Sequence, residues 1–191
     1  MDLDCKGEIL ILTGTPGAGK TTTASALAAS GGSPKVHLHS DDFWHFIKQG
    51  AIPPYLPEAH RQNETVLGVL AKVAAGFAEG GYFVIVDGIV GPWFLHAFDE
   101  IDRPIHYVVL RPALEVAIER CRSRGGDTLS ASGPITGLHQ QFSALGPLER
   151  HVLATGHDNS ESILMRVIAA LESGRFRLPR RNQPSAAMSL R

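Results

Sequence analysis

The residues Gly14-Thr15-Pro16-Gly17-Ala18-Gly19-Lys20-Thr21 lie between an apolar run at 8–12 and an alanine-rich segment at 20–29. Their spacing matches Gly-x4-Gly-Lys-[Ser/Thr], the P-loop pattern, in which glycines let backbone N–H groups turn toward phosphate oxygens. The flanking segments predict a buried strand before the loop and a helix after it, so that a helix N-terminus faces an anion. The stretch therefore predicts a site for a nucleoside triphosphate.

Two side chains of this loop have separate predicted roles. Lys20 is expected to reach the β- and γ-phosphates as a positive charge, and Thr21 to offer its hydroxyl to Mg²⁺. ATP and Mg²⁺ are the cofactors that follow. The predicted nucleotide-binding residues are Gly14, Thr15, Pro16, Gly17, Ala18, Gly19, Lys20, Thr21 and Thr22.

The composition is that of one globular domain, which we place at residues 1–175. The 191 residues are 43% hydrophobic and 19% charged, with a net charge of −1, so no bulk charge favours nucleic acid or a membrane surface. Cys5 and Cys121 are too few for a disulfide framework, and no apolar run approaches the roughly 20 residues of a membrane span. We expect a cytoplasmic protein, a monomer or weak homodimer, with no nucleic-acid or membrane partner.

The hydrophobic pattern alternates strands with helices. Strands are predicted at 35–39, 82–87, 105–110 and, more weakly, 152–154. Helices are predicted at 42–49, after Pro57, after Pro112 and at 162–171, with weaker candidates at 140–145 and 148–151. The helix after Pro57 carries an apolar stripe expected to face the core: Val66, Leu70, Val73 and Phe77. Strands that alternate with helices predict an α/β domain with a parallel sheet covered on both faces.

Acidic residues follow two of these strands, at the sheet edge where open α/β folds bind ligands. Asp41 and Asp42 come after the second strand, where a carboxylate suits a general base that takes a proton from an attacking hydroxyl. Asp41 is favoured as this base, while a helix cap remains the alternative role for either aspartate. Asp87 ends the third strand in the Walker-B position and is predicted to hold Mg²⁺ with Thr21; the alternative is a turn aspartate helped by Gly88.

Arg120 and Arg124 lie one turn apart on the helix after Pro112, ahead of a glycine-rich stretch. Arginines beside a mobile segment suit a lid, predicted at about 120–136, that closes over ATP and stabilises charge on the transferred phosphoryl group. The alternative is a solvated helix face, because Glu119 and Arg122 lie nearby.

The histidines, the C-terminal basic residues and the aromatic residues carry no pattern that predicts a catalytic role. The nine histidines include His37 and His39 on one face of a strand, but no carboxylate or cysteine stands beside them at ligand spacing in the sequence. Residues 176–191 form a basic tail, which we expect to be a solvated end rather than a nucleic-acid arm. Four aromatic residues either line the acceptor side or belong to the core: Trp44, Tyr55, Trp93 and Phe94.

These features resemble the small P-loop kinases related to chloramphenicol phosphotransferase, zeta-type toxins, gluconate kinase and the kinase domain of polynucleotide kinase. The resemblance spans residues 9–171 and rests on the stretches 14–21, 40–43, 84–87, 108–112 and 119–124. It implies a three-layer P-loop NTPase fold of the nucleotide-kinase type, with a five-stranded parallel sheet and a small lid. It also implies Asp41 as the catalytic aspartate and Arg120 and Arg124 as lid arginines.

The predicted function is ATP-dependent transfer of the γ-phosphoryl group to a hydroxyl of a small molecule, in the manner of chloramphenicol phosphotransferase. Trp44 stands where polynucleotide kinases have an arginine, three residues after the base, which counts against a 5′-phosphate acceptor end. Two alternatives stay open: an ATP-binding switch whose nucleotide state a partner protein recognises, and a toxin-like kinase acting on a nucleotide sugar.

Overall fold

A computed structural model describes residues 2–124, 132–156 and 158–179, without the side chains of Arg124 and Ser132. Five strands form one parallel sheet in the order β2-β3-β1-β4-β5. Their bounds are Ile9–Gly14 (β1), Lys35–His39 (β2), Phe83–Asp87 (β3), Ile105–Arg111 (β4) and Val152–Ala154 (β5). The predicted sheet is confirmed, and each strand bound lies within two residues of the prediction.

Six α-helices connect these strands within the described residues. They are Lys20–Ala28 (α1), Ser40–His45 (α2), His60–Glu79 (α3), Leu114–Arg124 (α4), Ser132–Phe142 (α5) and Ser160–Ser173 (α6). Short 3-10 segments occur at Pro57–Ala59, Pro92–Phe98 and Gly146–His151. No helix of the described chain is both long enough and apolar enough to cross a membrane.

The sheet is covered on both faces because alternate side chains of each strand point to opposite sides. On one face Leu10 and Leu12 of β1 pack with α1 and α6, as do Ile85 of β3 and Leu110 of β4. On the other face the intervening residues pack against α3 and the 3-10 segment at Pro92–Phe98: Ile9, Ile11, Val84, Val86, Tyr107 and Val109. The sheet is therefore the middle of three layers, as the fold class requires.

Three helix predictions need correction, and the first is the helix predicted at 42–49, which is observed at Ser40–His45. On α3 the buried side is formed by Val66, Leu67, Leu70, Ala71, Ala74 and Ala78, whereas Phe77 is exposed. Val66 and Leu70 of the predicted stripe are buried, but towards the end of the helix the buried side continues through alanines, which carry a weak hydrophobic signal. Helix α5 begins at Ser132, so Gly133 and Pro134 lie in its first turn rather than in a flexible stretch.

The predicted basic tail begins inside the packed domain. Phe176 is buried, its carbonyl accepts from the Tyr107 N–H at 2.9 Å, and the Leu178 N–H donates to the Ile105 carbonyl at 2.8 Å. These bonds add a short antiparallel segment along β4, at residues that β5 does not reach. The rest of the predicted tail, residues 180–191, lies outside the described residues.

Candidate nucleotide and phosphoryl-transfer site

The P-loop backbone is fixed by close contact with neighbouring elements. Gly14 has φ 138°, and a Cβ at that position would lie 2.0 Å from the Leu110 carbonyl oxygen of β4. Gly17 has φ 75°, and its Cβ would lie 2.5 Å from the Ala117 carbonyl oxygen of α4. Both positions require glycine, for the backbone angle and for the space. The loop is therefore held between β4 and α4, immediately before the start of α1.

Lys20 turns back over the loop that precedes it. Its Nζ donates to the carbonyl oxygens of Gly14 at 3.1 Å and Thr15 at 2.9 Å. The Thr15 hydroxyl is buried and has no hydrogen-bond partner in the part of the chain that is described. Thr22 is exposed on the first turn of α1, beside the predicted phosphate positions. The arrangement surrounds the helix N-terminus with donors and one ammonium group, as phosphate binding requires.

Asp87 is completely buried at the end of β3, between Leu12 of β1 and His39 of β2 in the sheet register. Its Oδ2 accepts from the Thr21 hydroxyl at 2.6 Å, and its Oδ1 lies 2.6 Å from His37 Nε2. Burial alone would raise the pKa of Asp87. Hydrogen bonds from His37 and Thr21, with the nearby charge of His39, outweigh burial and hold that pKa below its usual value.

His37 and His39 are the residues that the sequence analysis missed. Spacing along the chain showed no carboxylate beside them, but Asp87 of the neighbouring strand lies 2.6 Å from His37 Nε2 and 3.9 Å from His39 Nε2. His37 and His39 share a face of β2, and in-register pairing sets His39 directly opposite Asp87. The pairing of β2 with β3 would have supplied the signal that spacing along the chain lacks.

Asp41 and Asp42 lie in the first turn of α2, with side chains 62% and 65% exposed. The helix begins at Ser40 with His39 as its N-cap, so neither aspartate is the N-cap residue that the alternative role required. His39 lies between these carboxylates and Asp87, with Nε2 3.9 Å from Asp41 Oδ2 and 3.9 Å from Asp87 Oδ2. The three carboxylates therefore stand around one imidazole at the carboxyl edge of the sheet.

The residues present fit a magnesium nucleotide. A threonine hydroxyl and a carboxylate, Thr21 and Asp87, are hard oxygen donors of the kind that Mg²⁺ prefers, and they already touch each other. The buried Thr15 hydroxyl, which has no partner among the described residues, is a polar group of the kind that a phosphate oxygen would satisfy. Thr21 and Asp87 are thus the residues that would hold the metal.

The lid prediction falls only partly on described residues. Arg120 Nη2 donates to the Asp158 carbonyl at 3.1 Å, so it lies against the loop between β5 and α6. The same Asp158 accepts from Arg166 at 2.5 Å. The side chain of Arg124 and residues 125–131 of the predicted lid lie outside the described residues. A contact between either arginine and the transferred phosphoryl group stays a prediction.

The four aromatic residues with two alternative roles, pocket or core, differ in their exposure. Phe94 is buried, whereas Tyr55 and Trp93 are exposed. Trp44 is half-buried on α2, and its indole N–H donates to the Asn63 side-chain oxygen of α3 at 2.8 Å. Asn63 in turn donates to the Pro54 carbonyl at 2.8 Å. The wall beside Asp41 is thus formed by α2, by the start of α3 and by the proline-rich loop at 50–56.

A family model described as an AAA domain matches residues 10–130, which is more than half of the chain. The match contains the whole P-loop, β2 with its aspartates, β3 with Asp87, and α4. No curated protein sequence matches the chain.

Solved structures share the fold over most of the chain. A sugar kinase from Janibacter sp. HTCC2649 is 20% identical, with 86% of this chain and 94% of that chain covered and a TM-score of 0.69. A gluconokinase from Sinorhizobium meliloti 1021 is 18% identical, with 87% and 93% covered and a TM-score of 0.64. Shikimate kinase from Acinetobacter baumannii, solved with shikimate, is 22% identical, with 87% and 93% covered and a TM-score of 0.61. The chain has the P-loop fold of these small-molecule kinases.

Proposed function

Since the chain belongs to the family described as the AAA domain and has a P-loop, we propose that it is an ATP-dependent phosphotransferase. The γ-phosphoryl group of ATP would pass to a hydroxyl of a small molecule, giving ADP and a phosphate ester. The Walker-B carboxylate of Asp87 supports the donor half of this proposal. The exposed carboxylates of Asp41 and Asp42 support the acceptor half.

One observation carries the proposal: three carboxylates surround His39 at the carboxyl edge of the sheet, but only Asp87 is buried against the P-loop threonine. A buried, hydrogen-bonded carboxylate suits a metal ligand. Asp41 and Asp42 stay open to solvent, where an acceptor hydroxyl can approach. A nucleotide-binding protein without an acceptor has no need of Asp41 and Asp42 at this position.

Each residue has a stated role in an in-line transfer. The P-loop N–H groups and Lys20 bind the phosphates, and bound Mg²⁺ supplies neutralisation of the charge on the β- and γ-phosphates. Asp41 orients the acceptor hydroxyl and takes its proton as the oxygen forms its bond to phosphorus. The bond between the γ-phosphorus and the bridging oxygen breaks, and ADP keeps that electron pair. Arg120 and Arg124 stabilise the charge of the transferred group from the lid side.

We propose a chemical class of acceptor rather than one compound. The related folds include proteins described as a sugar kinase, a gluconokinase and a shikimate kinase, which supports a small hydroxylated acceptor. The exposed aromatic side chains of Tyr55 and Trp93 favour an acceptor with an apolar or planar part, as in a chloramphenicol-like antibiotic.

A screen of hydroxylated acceptors with ATP and Mg²⁺ tests the proposal directly. The panel contains sugars and sugar acids, nucleosides, nucleotide sugars, and antibiotics with free hydroxyls, and product is detected as the phosphate ester by mass spectrometry. Asp41→Ala is expected to keep ATP affinity and to lose about 10²–10⁴-fold of turnover, as for a general base. Lys20→Ala is expected to weaken nucleotide binding itself.

Each result has a distinct meaning. Normal transfer by Asp41→Ala to a verified acceptor would show that this aspartate is not the base. Loss of transfer in Asp42→Ala would then identify Asp42 as the base. Slow hydrolysis of ATP with no ester from any acceptor, together with nucleotide-dependent capture of a protein, would replace the proposal by an ATP-binding switch. Transfer to a nucleotide sugar, with toxicity on expression that Asp41→Ala relieves, would identify a toxin-like kinase.

A further inference from the structure

We propose that His37 is a positioning residue for Asp87, and that it sets the contribution of Mg²⁺ to nucleotide binding. The inference rests on the magnesium nucleotide site of the proposed function and is independent of the acceptor. Its basis is the division of the Asp87 carboxylate between two donors from different elements, His37 on β2 and Thr21 on α1.

The two bonds to Asp87 are short and use different oxygens. His37 Nε2 lies 2.6 Å from Oδ1, and the Thr21 hydroxyl lies 2.6 Å from Oδ2. A carboxylate oxygen only accepts hydrogen bonds, so the geometry assigns the donor role in this bond to His37 Nε2.

The bond restricts how Asp87 can turn. Its carboxylate is fully buried, so an oxygen without a donor would lose solvation that nothing replaces. His37 is held by the parallel pairing of β2 with β3, in which Val36 and Leu38 lie opposite Val84 and Val86. With Oδ1 held from the strand side, Oδ2 stays directed at Thr21, where the metal is proposed to bind.

Residues behind a metal-binding carboxylate influence affinity as strongly as many direct ligands. Loss of such a partner typically reduces metal affinity or activity about 10–100-fold. His37 makes no contact with the P-loop in the hydrogen bonds described for it, and its position beside Asp87 gives it a route to the metal alone. Its removal is therefore expected to change nucleotide binding with Mg²⁺ and to leave binding without Mg²⁺ unchanged.

The experiment measures the dissociation constant of a fluorescent ATP analogue, with Mg²⁺ and with EDTA, for wild type, His37→Phe, His37→Gln and Asp87→Asn. Phenylalanine keeps a ring of similar size without the donor, and glutamine restores an N–H at similar reach. His37→Phe is expected to weaken binding in Mg²⁺ about 10–100-fold and in EDTA less than about twofold. His37→Gln is expected to recover most of the loss.

A double variant separates positioning from packing. If His37 acts through Asp87, adding His37→Phe to Asp87→Asn changes binding in Mg²⁺ by less than about twofold. Equal losses with Mg²⁺ and EDTA, or wild-type affinity of folded His37→Phe, would overturn the inference. If circular dichroism shows that His37→Phe does not fold, His37→Gln is compared with Asp87→Asn instead. An affinity of His37→Gln in Mg²⁺ no closer to wild type than that of Asp87→Asn would also overturn the inference. A wild-type chain whose nucleotide binding ignores Mg²⁺ would instead contradict the proposed function.

Discussion

The phosphate end of the candidate site, at the P-loop, and the end that we propose for the acceptor, at Asp41 and Asp42, are constructed differently. At the phosphate end Asp87 and Thr15 are fully buried, and the loop is pressed against β4 and α4. At the acceptor end Asp41 and Asp42 are largely exposed, and the adjoining loop at 50–56 is attached by side chains of α3. Backbone geometry fixes one end, whereas a few side-chain hydrogen bonds fix the other.

This difference indicates which part of the site is committed to one ligand. Triphosphate recognition needs preformed N–H groups in a rigid loop, and rigidity comes from buried backbone contacts. Recognition of an acceptor depends on loops, which change without loss of the core. The proposed donor site is therefore held by buried backbone, whereas the proposed acceptor site lies among the exposed side chains of α2 and the loop at 50–56.

The largest effect is expected from Gly14→Ala at the phosphate end. The added Cβ would meet the Leu110 carbonyl oxygen at 2.0 Å, with φ at 138°. Strain and overpacking together are expected to cost about 2–5 kcal/mol of unfolding free energy, measured by urea denaturation.

Gly50→Ala is the matched control for that substitution. Gly50 has φ 76° with nothing within 4 Å of a new Cβ, so only the backbone strain remains, about 1–2 kcal/mol. Because Gly50 lies in the acceptor-side loop, the pair compares the two ends directly. Equal losses in the two variants would contradict the view that close packing holds the P-loop.

A smaller effect is expected from Gln62→Ala at the acceptor end. The Gln62 side chain accepts from the Ile52 N–H at 2.9 Å and donates to the Ile52 carbonyl at 2.7 Å. Loss of both bonds is expected to cost roughly 1–3 kcal/mol of unfolding free energy and to raise the KM for an acceptor. Nucleotide affinity, measured with a fluorescent ATP analogue, should stay within about twofold of wild type because no P-loop contact changes.

Arg61→Ala serves as the control on the same turn of α3, since Arg61 is exposed. It is expected to change unfolding free energy by less than about 0.5 kcal/mol. If Gln62→Ala weakened nucleotide and acceptor binding equally, the two ends of the site would not be independent.

Local sequence signals predicted the sheet because β1, β3 and β4 are short, mostly apolar runs and β2 alternates apolar with polar residues. They failed where packing uses residues with weak signals. Ala71, Ala74 and Ala78 form much of the inner side of α3, whereas the apolar pattern predicted that Phe77 would face the core. Gly133 and Pro134 were placed in a flexible stretch, but Pro134 stands in the first turn of α5, where its missing N–H has no helical partner to lose.

The candidate site followed the same division. The P-loop, Asp41 and Asp87 were found from motif and strand order, because each stands at a strand's carboxyl end. His37 was missed because its partner lies 50 residues away along the chain. Such a pair follows only from which strands are neighbours and in what register, and a single hydrophobic pattern determines neither.

The last prediction concerns pH, and the expected difference between variants in the slope of unfolding free energy against pH is confined to acid. The pKa of Asp87 lies below its ordinary value of 3.8 in the folded chain, so the folded state keeps an ionised carboxylate where the unfolded state has begun to bind a proton. The resulting stabilisation is complete above that ordinary value and is lost as the pH falls through the lowered pKa. Below about pH 4, unfolding free energy should therefore decline more steeply in wild type than in Asp87→Asn.

Urea denaturation between pH 6 and pH 3 measures the two slopes, and Asp42→Asn controls for the loss of one negative charge. Asp42→Asn is expected to keep the wild-type decline, because its carboxylate is exposed and Asp87 is intact. A decline in Asp87→Asn as steep as in wild type would show that the buried carboxylate takes no part in acid sensitivity. The bonds from His37 and Thr21 would then hold Asp87 less firmly than their lengths indicate, and the rigid phosphate end would owe its order to the loop backbone alone.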